Sequence, residues 1–195
     1  MAVVVLLGVF VGCARSPRIR PLPAEAVVVA FGDSLTSGYG AEAGQDYPHV
    51  LAGLSGWQVI NAGVPGERSA AGLARLPSVL EEHRPALVLL CHGGNDILTG
   101  SSPEGIGANL DGMIRLCRDA GADVVLLAVP QKGLLLKPAP VYAEVADRNR
   151  VPLVEEVITD VLKKNALKSD YVHPNAAGYA QIATEVWSVL RRAQR

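Results

Sequence analysis

The chain has 195 residues, with 18 Lys and Arg against 19 Asp and Glu. That length fits one domain able to bury about 70% of its unfolded surface, and the balanced charge excludes the basic footprint that nucleic-acid binding requires. Apolar residues make up 49% of the chain but aromatic ones only 5%, as in an aliphatic α/β core, and no repeat or low-complexity tract is present.

Met1 to Gly12 is apolar and small, and it is too short to span a bilayer. It reads as the apolar region of a signal peptide, although no Lys or Arg precedes it. Phe10-Val11-Gly12-Cys13 resembles a bacterial lipobox, in which the cysteine becomes the lipidated first residue of the mature protein; Phe is a less usual first residue there. Lipidation at Cys13 is the preferred reading, ahead of an ordinary secretory signal or anchor and of a cytoplasmic chain. It implies the periplasm or cell envelope, with membrane attachment through Cys13. Ala14 to Pro23, with three prolines and three arginines, is then a tether, so residues 1–23 are leader and tether and 24–195 the domain.

From Val27 onward strand and helix patterns alternate, the signature of a parallel sheet with helices on both faces. Ala26 to Phe31 is an unbroken, β-branched apolar run of the kind that forms a strand buried on both faces. A helix over 47–54 ends at Ser55-Gly56, and Trp57 to Asn61 makes the second strand. The next helix, 69–83, carries Ala70, Leu73, Leu76 and Leu80 at helical spacing and stops before Pro85; the strand Ala86 to Cys91 follows. A helix over 103–119 buries Ile106, Leu110, Met113, Ile114 and Cys117, and Gly121 suits its C-terminal cap. Asp123 to Val129 is the fourth strand. After a loop of about ten residues come a helix near 139–149, the short strand Val151 to Val154, and a last helix over 175–191. Five parallel strands with right-handed crossovers give a three-layer α/β/α domain in which every strand ends on one rim. Cys91 and Cys117 fall in a strand and a helix, so buried free thiols are preferred over a disulfide.

The rim carries the polar motifs. The first strand stops at Gly32-Asp33-Ser34, which puts a hydroxyl at the carboxyl end of a central strand, where ligands bind in open α/β sheets. If a helix starts there, its free N–H groups favour negative charge beside the serine. Asn61 to Ser69 follows the second strand and contains the turn pair Pro65-Gly66, whose glycine tolerates a positive φ. His92-Gly93-Gly94-Asn95-Asp96 follows the third, with a side-chain amide at Asn95. Ser169 to Pro174 precedes the last helix, and Pro174 keeps His173 out of the helical region, so Asp170 and His173 share a loop. Each motif alone has an ordinary reading: a strand-ending turn with a structural Asp33, a tight turn, a helix cap at Asn95-Asp96, a surface histidine. His49, His83 and His92 are assigned to solvent or packing. The set, distributed over successive strands of one sheet, points instead to a serine activated by an imidazole, with donors for an oxyanion.

Taken together, Phe31-Gly32-Asp33-Ser34-Leu35, Asn61 to Gly66, Gly93-Gly94-Asn95-Asp96 and Asp170-Tyr171-Val172-His173-Pro174 resemble the motifs of the SGNH hydrolases in the GDSL esterase/lipase family. They are most similar to the bacterial group of thioesterase I, lysophospholipase and arylesterase, and the likeness runs from about Val27 to Ala193. Leu73 to Pro77 and Val151-Pro152-Leu153 match that group as well. The resemblance implies a flavodoxin-like SGNH fold and a monomer acting on small-molecule acyl esters or thioesters without metal or organic cofactor. By position it makes Ser34 the nucleophile, His173 the base and then acid, and Asp170 its orienting partner. The oxyanion donors become the Ser34 N–H, the Gly66 N–H and the Asn95 side-chain amide.

Two departures from the pattern bear on the substrate. Pro130 to Pro138 is a few residues shorter than in thioesterase I-like relatives and holds Leu134, Leu135 and Leu136, which are candidate substrate-binding residues. Glu67-Arg68 stands where the group has an acid followed by a small residue. The alternatives kept open are a carbohydrate O-acetylesterase of the cell envelope and a non-catalytic binding lipoprotein on the same fold. A metallophosphoesterase is disfavoured, because no Asp-x-His follows the first strand and no histidine cluster could hold two metals.

Overall fold

A computed structural model of the chain describes residues 16–194. Cys13 and the lipobox-like stretch lie outside the described residues.

Among these, five strands form one fully parallel sheet: β1 (Val27–Gly32), β2 (Gln58–Gly63), β3 (Leu87–Cys91), β4 (Asp123–Leu127) and β5 (Leu153–Val154), in the order β2-β1-β3-β4-β5. The helices are α1 (Ser34–Ser37), α2 (Tyr47–Ser55), α3 (Ser69–His83), α4 (Gly94–Leu98), α5 (Pro103–Asp119), α6 (Pro140–Asn149), α7 (Val157–Lys163) and α8 (Ala176–Ala193). α3, α5 and α6 pack side by side on one face of the sheet, and α2, α8 and α7 on the other. The three-layer arrangement and the sheet agree with the sequence reading. β3 is buried along its whole length, as an apolar strand between two helical layers must be.

Local signals explain the long helices. Asp46, Ser102 and Asn175 each cap an N-terminus by accepting the backbone N–H of the residue three positions on, and Pro103 occupies the first turn of α5. α1 was expected only conditionally after Asp33, and α4, α7 and a 3-10 turn at Asn165–Leu167 were not expected as elements. They are four, five, seven and three residues long, too short to show a helical period.

Packing also begins earlier than expected. Part of the anticipated tether is fixed to the domain: Ile19 is buried, its N–H donates to the Ala193 carbonyl, and Arg20 pairs with Asp123 at 3.0 Å. Cys91 and Cys117 are both buried and free.

The strand order reverses between β1 and β3. In an open parallel sheet the crevice lies at that reversal, beyond the carboxyl ends of the strands. Ser34 follows β1 and Asn95 follows β3, so the topology alone sets them on the two lips of this crevice.

Candidate active site

β1 has to end against its neighbours. A Cβ at position 32 would collide with the Cys91 carbonyl oxygen and the Thr36 hydroxyl, so only glycine fits where the chain turns out of the sheet. Asp33 then caps α1, its Oδ1 accepting the Leu35 N–H at 3.1 Å. Burial pushes the Asp33 carboxyl above its ordinary range, offset in part by His92 and by the Leu35 and Gly94 N–H groups. Asp33 is thus structural, as the sequence reading held, and it leaves Ser34 as the first helical residue, facing the crevice.

The loop opposite is closed by its own backbone. The Ser169 N–H donates to the His173 carbonyl at 2.9 Å, and Lys168 and Pro174 form an antiparallel bridge. Within it, Asp170 Oδ1 accepts the N–H groups of Val172 and His173, both at 2.8 Å, while Oδ2 lies 2.7 Å from His173 Nδ1. Burial raises the Asp170 carboxyl, but the bonds from His173 and Val172 outweigh it and hold the group below its ordinary value. A carboxylate at Nδ1 fixes the ring hydrogen there, so Nε2 presents its lone pair. That nitrogen is 2.9 Å from Ser34 Oγ. The Tyr39 ring packs against the imidazole, with centroids 4.5 Å apart.

On the other lip, Asn95 sits in the first turn of α4, after Gly93 at φ +106°. Its Nδ2 donates to the Glu67 carbonyl at 3.0 Å and makes a longer contact, 3.4 Å, with Asp33 Oδ2. Asp96 does not cap α4. It reaches back to the start of α3, accepting the Ser69 N–H at 2.7 Å and the Ser69 hydroxyl at 2.8 Å. Gly66 lies in the exposed turn after β2, at φ +77°. His92 is fully buried, and His49 pairs at the surface with Asp46.

Between the lips opens a largely apolar cavity of about 260 Å³, lined by Ser34, Asn95 and His173 and also by Ile97, Val129 and Leu136. Of the three candidate leucines only Leu136 faces it. Leu134 and Leu135 stand out into solvent at 103% and 70% exposure, because three consecutive side chains in a tight loop cannot share one direction. Ile97 and Tyr171 also line the cavity and were missed, Ile97 because α4 is too short for its apolar position to read as periodic. Among the described residues, no group of three or more His, Cys, Asp or Glu side chains converges as a metal site would.

An α/β/α sheet with a serine, a histidine and a carboxylate linked in series at its switch point defines a hydrolase of the serine type. The model of the GDSL-like lipase/acylhydrolase family matches residues 30–181, and the chain belongs to that family. It is a carboxylic ester hydrolase. The chain is 31% identical over 191 residues to the esterase TesA of Pseudomonas aeruginosa, covering 92% of this chain and 95% of that one. It is 34% identical over 167 residues to an arylesterase of Vibrio mimicus, covering 80% and 84%. The crystal structure of TesA superposes with a TM-score of 0.78 at 30% identity, over 86% of this chain and 99% of that chain.

Proposed function

We propose that the chain cleaves carboxylic esters and thioesters of small acyl compounds through an acyl-enzyme on Ser34. The observation that carries this is the unbroken series Asp170–His173–Ser34, with contacts of 2.7 and 2.9 Å. A serine hydroxyl is a poor nucleophile at neutral pH until a base takes its proton. His173 Nε2 accepts that proton as Oγ attacks the acyl carbon. Asp170 holds the imidazole in the required tautomer and stabilises the imidazolium. The negative charge that develops on the carbonyl oxygen is met by the Ser34 and Gly66 N–H groups and the Asn95 amide. His173 returns the proton to the departing alcohol or thiol, and water repeats the sequence to release the acid.

The cavity favours an acyl chain longer than acetyl, since it is largely apolar, measures about 260 Å³ and is walled by Ile97, Val129 and Leu136 as well as Ser34. Each methylene buried there gains about 0.8 kcal/mol. This ranks the reading above a carbohydrate O-acetylesterase. We also propose that Cys13 is lipidated, which would hold the domain in the cell envelope; the support is the lipobox-like Phe10 to Cys13. Among the described residues no helix is long and apolar enough to cross a membrane.

A fluorophosphonate probe tests the central assignment. The expected result is one adduct, located on Ser34 by peptide mass spectrometry, and none on Ser34→Ala of verified fold. Ester turnover by Ser34→Ala comparable with the parent would overturn it. Mass spectrometry of the mature N-terminus in a bacterial host, with Cys13→Ser for comparison, decides lipidation: an unmodified Cys13 rules it out.

A further inference from the structure

Glu67 takes no part in the proton transfers, yet its side chain is 8% exposed and fully engaged. Oε1 accepts Arg75 Nε at 2.8 Å; Oε2 accepts an Nη of the same guanidinium at 2.7 Å and lies 3.1 Å from His92 Nε2. Arg75 comes from the second turn of α3. It also donates to the Ala62 carbonyl at the end of β2 and lies 4.2 Å over the Phe31 ring of β1. His92 follows β3, and its Nδ1 accepts the Gly93 N–H at 3.1 Å, which places the ring hydrogen on Nε2, toward Glu67. Residue 72 is a glycine where a Cβ would collide with this imidazole. One carboxylate therefore ties together α3 and the ends of β2 and β3.

The backbone of the same residue touches Asn95, which lines the cavity. Its carbonyl holds one hydrogen of the Asn95 amide at 3.0 Å, which fixes the plane of that amide. The other hydrogen has only the 3.4 Å contact with Asp33, a long bond that an oxyanion in the cavity can replace. Gly66 immediately precedes, in a turn closed by the Glu67 N–H on the Val64 carbonyl at 3.2 Å. An exposed turn built on Pro and Gly has few contacts of its own to hold it. The pinned Glu67 side chain supplies them.

We propose that Glu67 is the positioning residue of the oxyanion hole: its carboxylate, gripped by Arg75 and His92, immobilises the Pro65–Glu67 backbone so that it presents the Gly66 N–H and aims the Asn95 amide. The inference rests on the reading of Gly66 and Asn95 as oxyanion donors given under Proposed function.

Because the oxyanion exists only in the transition state, loosening its donors lowers kcat and spares KM. Glu67→Gln keeps the volume but loses the charge that holds the guanidinium by two bonds. With p-nitrophenyl butyrate, its kcat is expected to fall about tenfold with KM within about twofold, a coupling in the range seen for residues of one network. In an Asn95→Ala background the same substitution should cost less than about threefold, since one of the two donors it positions is gone and only the Gly66 N–H is left for it to hold. Glu67→Asp, which keeps the charge on a shorter arm, should fall between, and it carries the same cycle if circular dichroism finds Glu67→Gln unfolded. An undiminished loss in the Asn95→Ala background, or a loss confined to KM, overturns the proposal. Fluorophosphonate labelling of Ser34 in the parent separates the two failures. No labelling sinks the reading of the site, whereas labelling with strictly additive effects sinks only the role of Glu67.

Discussion

The Asp170 carboxylate holds His173 by both of its oxygens. Oδ2 meets Nδ1 at 2.7 Å, while Oδ1 accepts the backbone N–H of the same histidine and that of Val172 at 2.8 Å. This double grip predicts the outcome of Asp170→Asn. The two N–H groups claim the amide oxygen, so the amide NH₂ must face Nδ1. The ring hydrogen then moves to Nε2, which can no longer accept the Ser34 proton. A loss of about 10⁴ in kcat/KM at neutral pH is expected, as for other wrong-tautomer triads. A loss below tenfold, with the melting temperature unchanged, would count against the tautomer argument.

Asn95→Ala removes one of three donors while leaving Ser34 and His173 in contact. Turnover should drop by roughly 10²–10³, about 3–4 kcal/mol, with a much smaller change in KM. Steady-state kinetics with a soluble ester decide it. An effect on KM alone would make Asn95 a substrate-binding group.

The three leucines of the loop after β4 should separate cleanly. Leu136 lines the cavity, so Leu136→Ser should flatten the rise in kcat/KM from acetyl toward medium-length p-nitrophenyl esters and spare acetyl hydrolysis. Leu134 and Leu135 are exposed, and Leu134→Ser or Leu135→Ser should change neither that profile nor the melting temperature, as surface substitutions rarely exceed about 0.5 kcal/mol. A flat profile in the parent would move the O-acetylesterase reading ahead.

Acid should weaken the fold through Glu67. Burial raises its carboxyl, but the bonds from Arg75 and His92 prevail, and the folded value lies below the ordinary one. A group depressed on folding stabilises the protein at neutral pH, and that contribution is lost as pH falls through the folded value. Asp170 has the same sign. Asp33 has the opposite one, since its raised carboxyl takes up a proton more readily in the folded state and acid relieves its cost. Melting temperatures of the parent and Glu67→Gln should therefore differ most near neutrality and converge as acid carries the pH past the ordinary glutamate range and through the lower folded value. A gap that stays constant with pH would mean that Glu67 does not act as a depressed carboxylate.

Much of this was legible in the sequence. Uninterrupted apolar runs rich in β-branched residues, such as Val27 to Phe31, alternating with apolar positions spaced at helical intervals, are sufficient for the layers and for one polar rim, because period and burial are local properties of the chain. Ser34, Asn95, Asp170 and His173 were legible for the same reason: each lies next to a strand or helix end that its neighbours announce. α4 and α7 were not, being too short to carry a period. Direction was decided only in three dimensions. Which of Leu134, Leu135 and Leu136 turns inward depends on the bridge between Pro130 and Pro138, and Asp96 serves α3 rather than its own helix because β2 and β3 end one strand apart across β1. The grip of Arg75 and His92 on Glu67 likewise joins residues 8 and 25 positions apart. No pattern in the chain encodes such a contact, because it exists only once β1 has brought the ends of its two neighbours together.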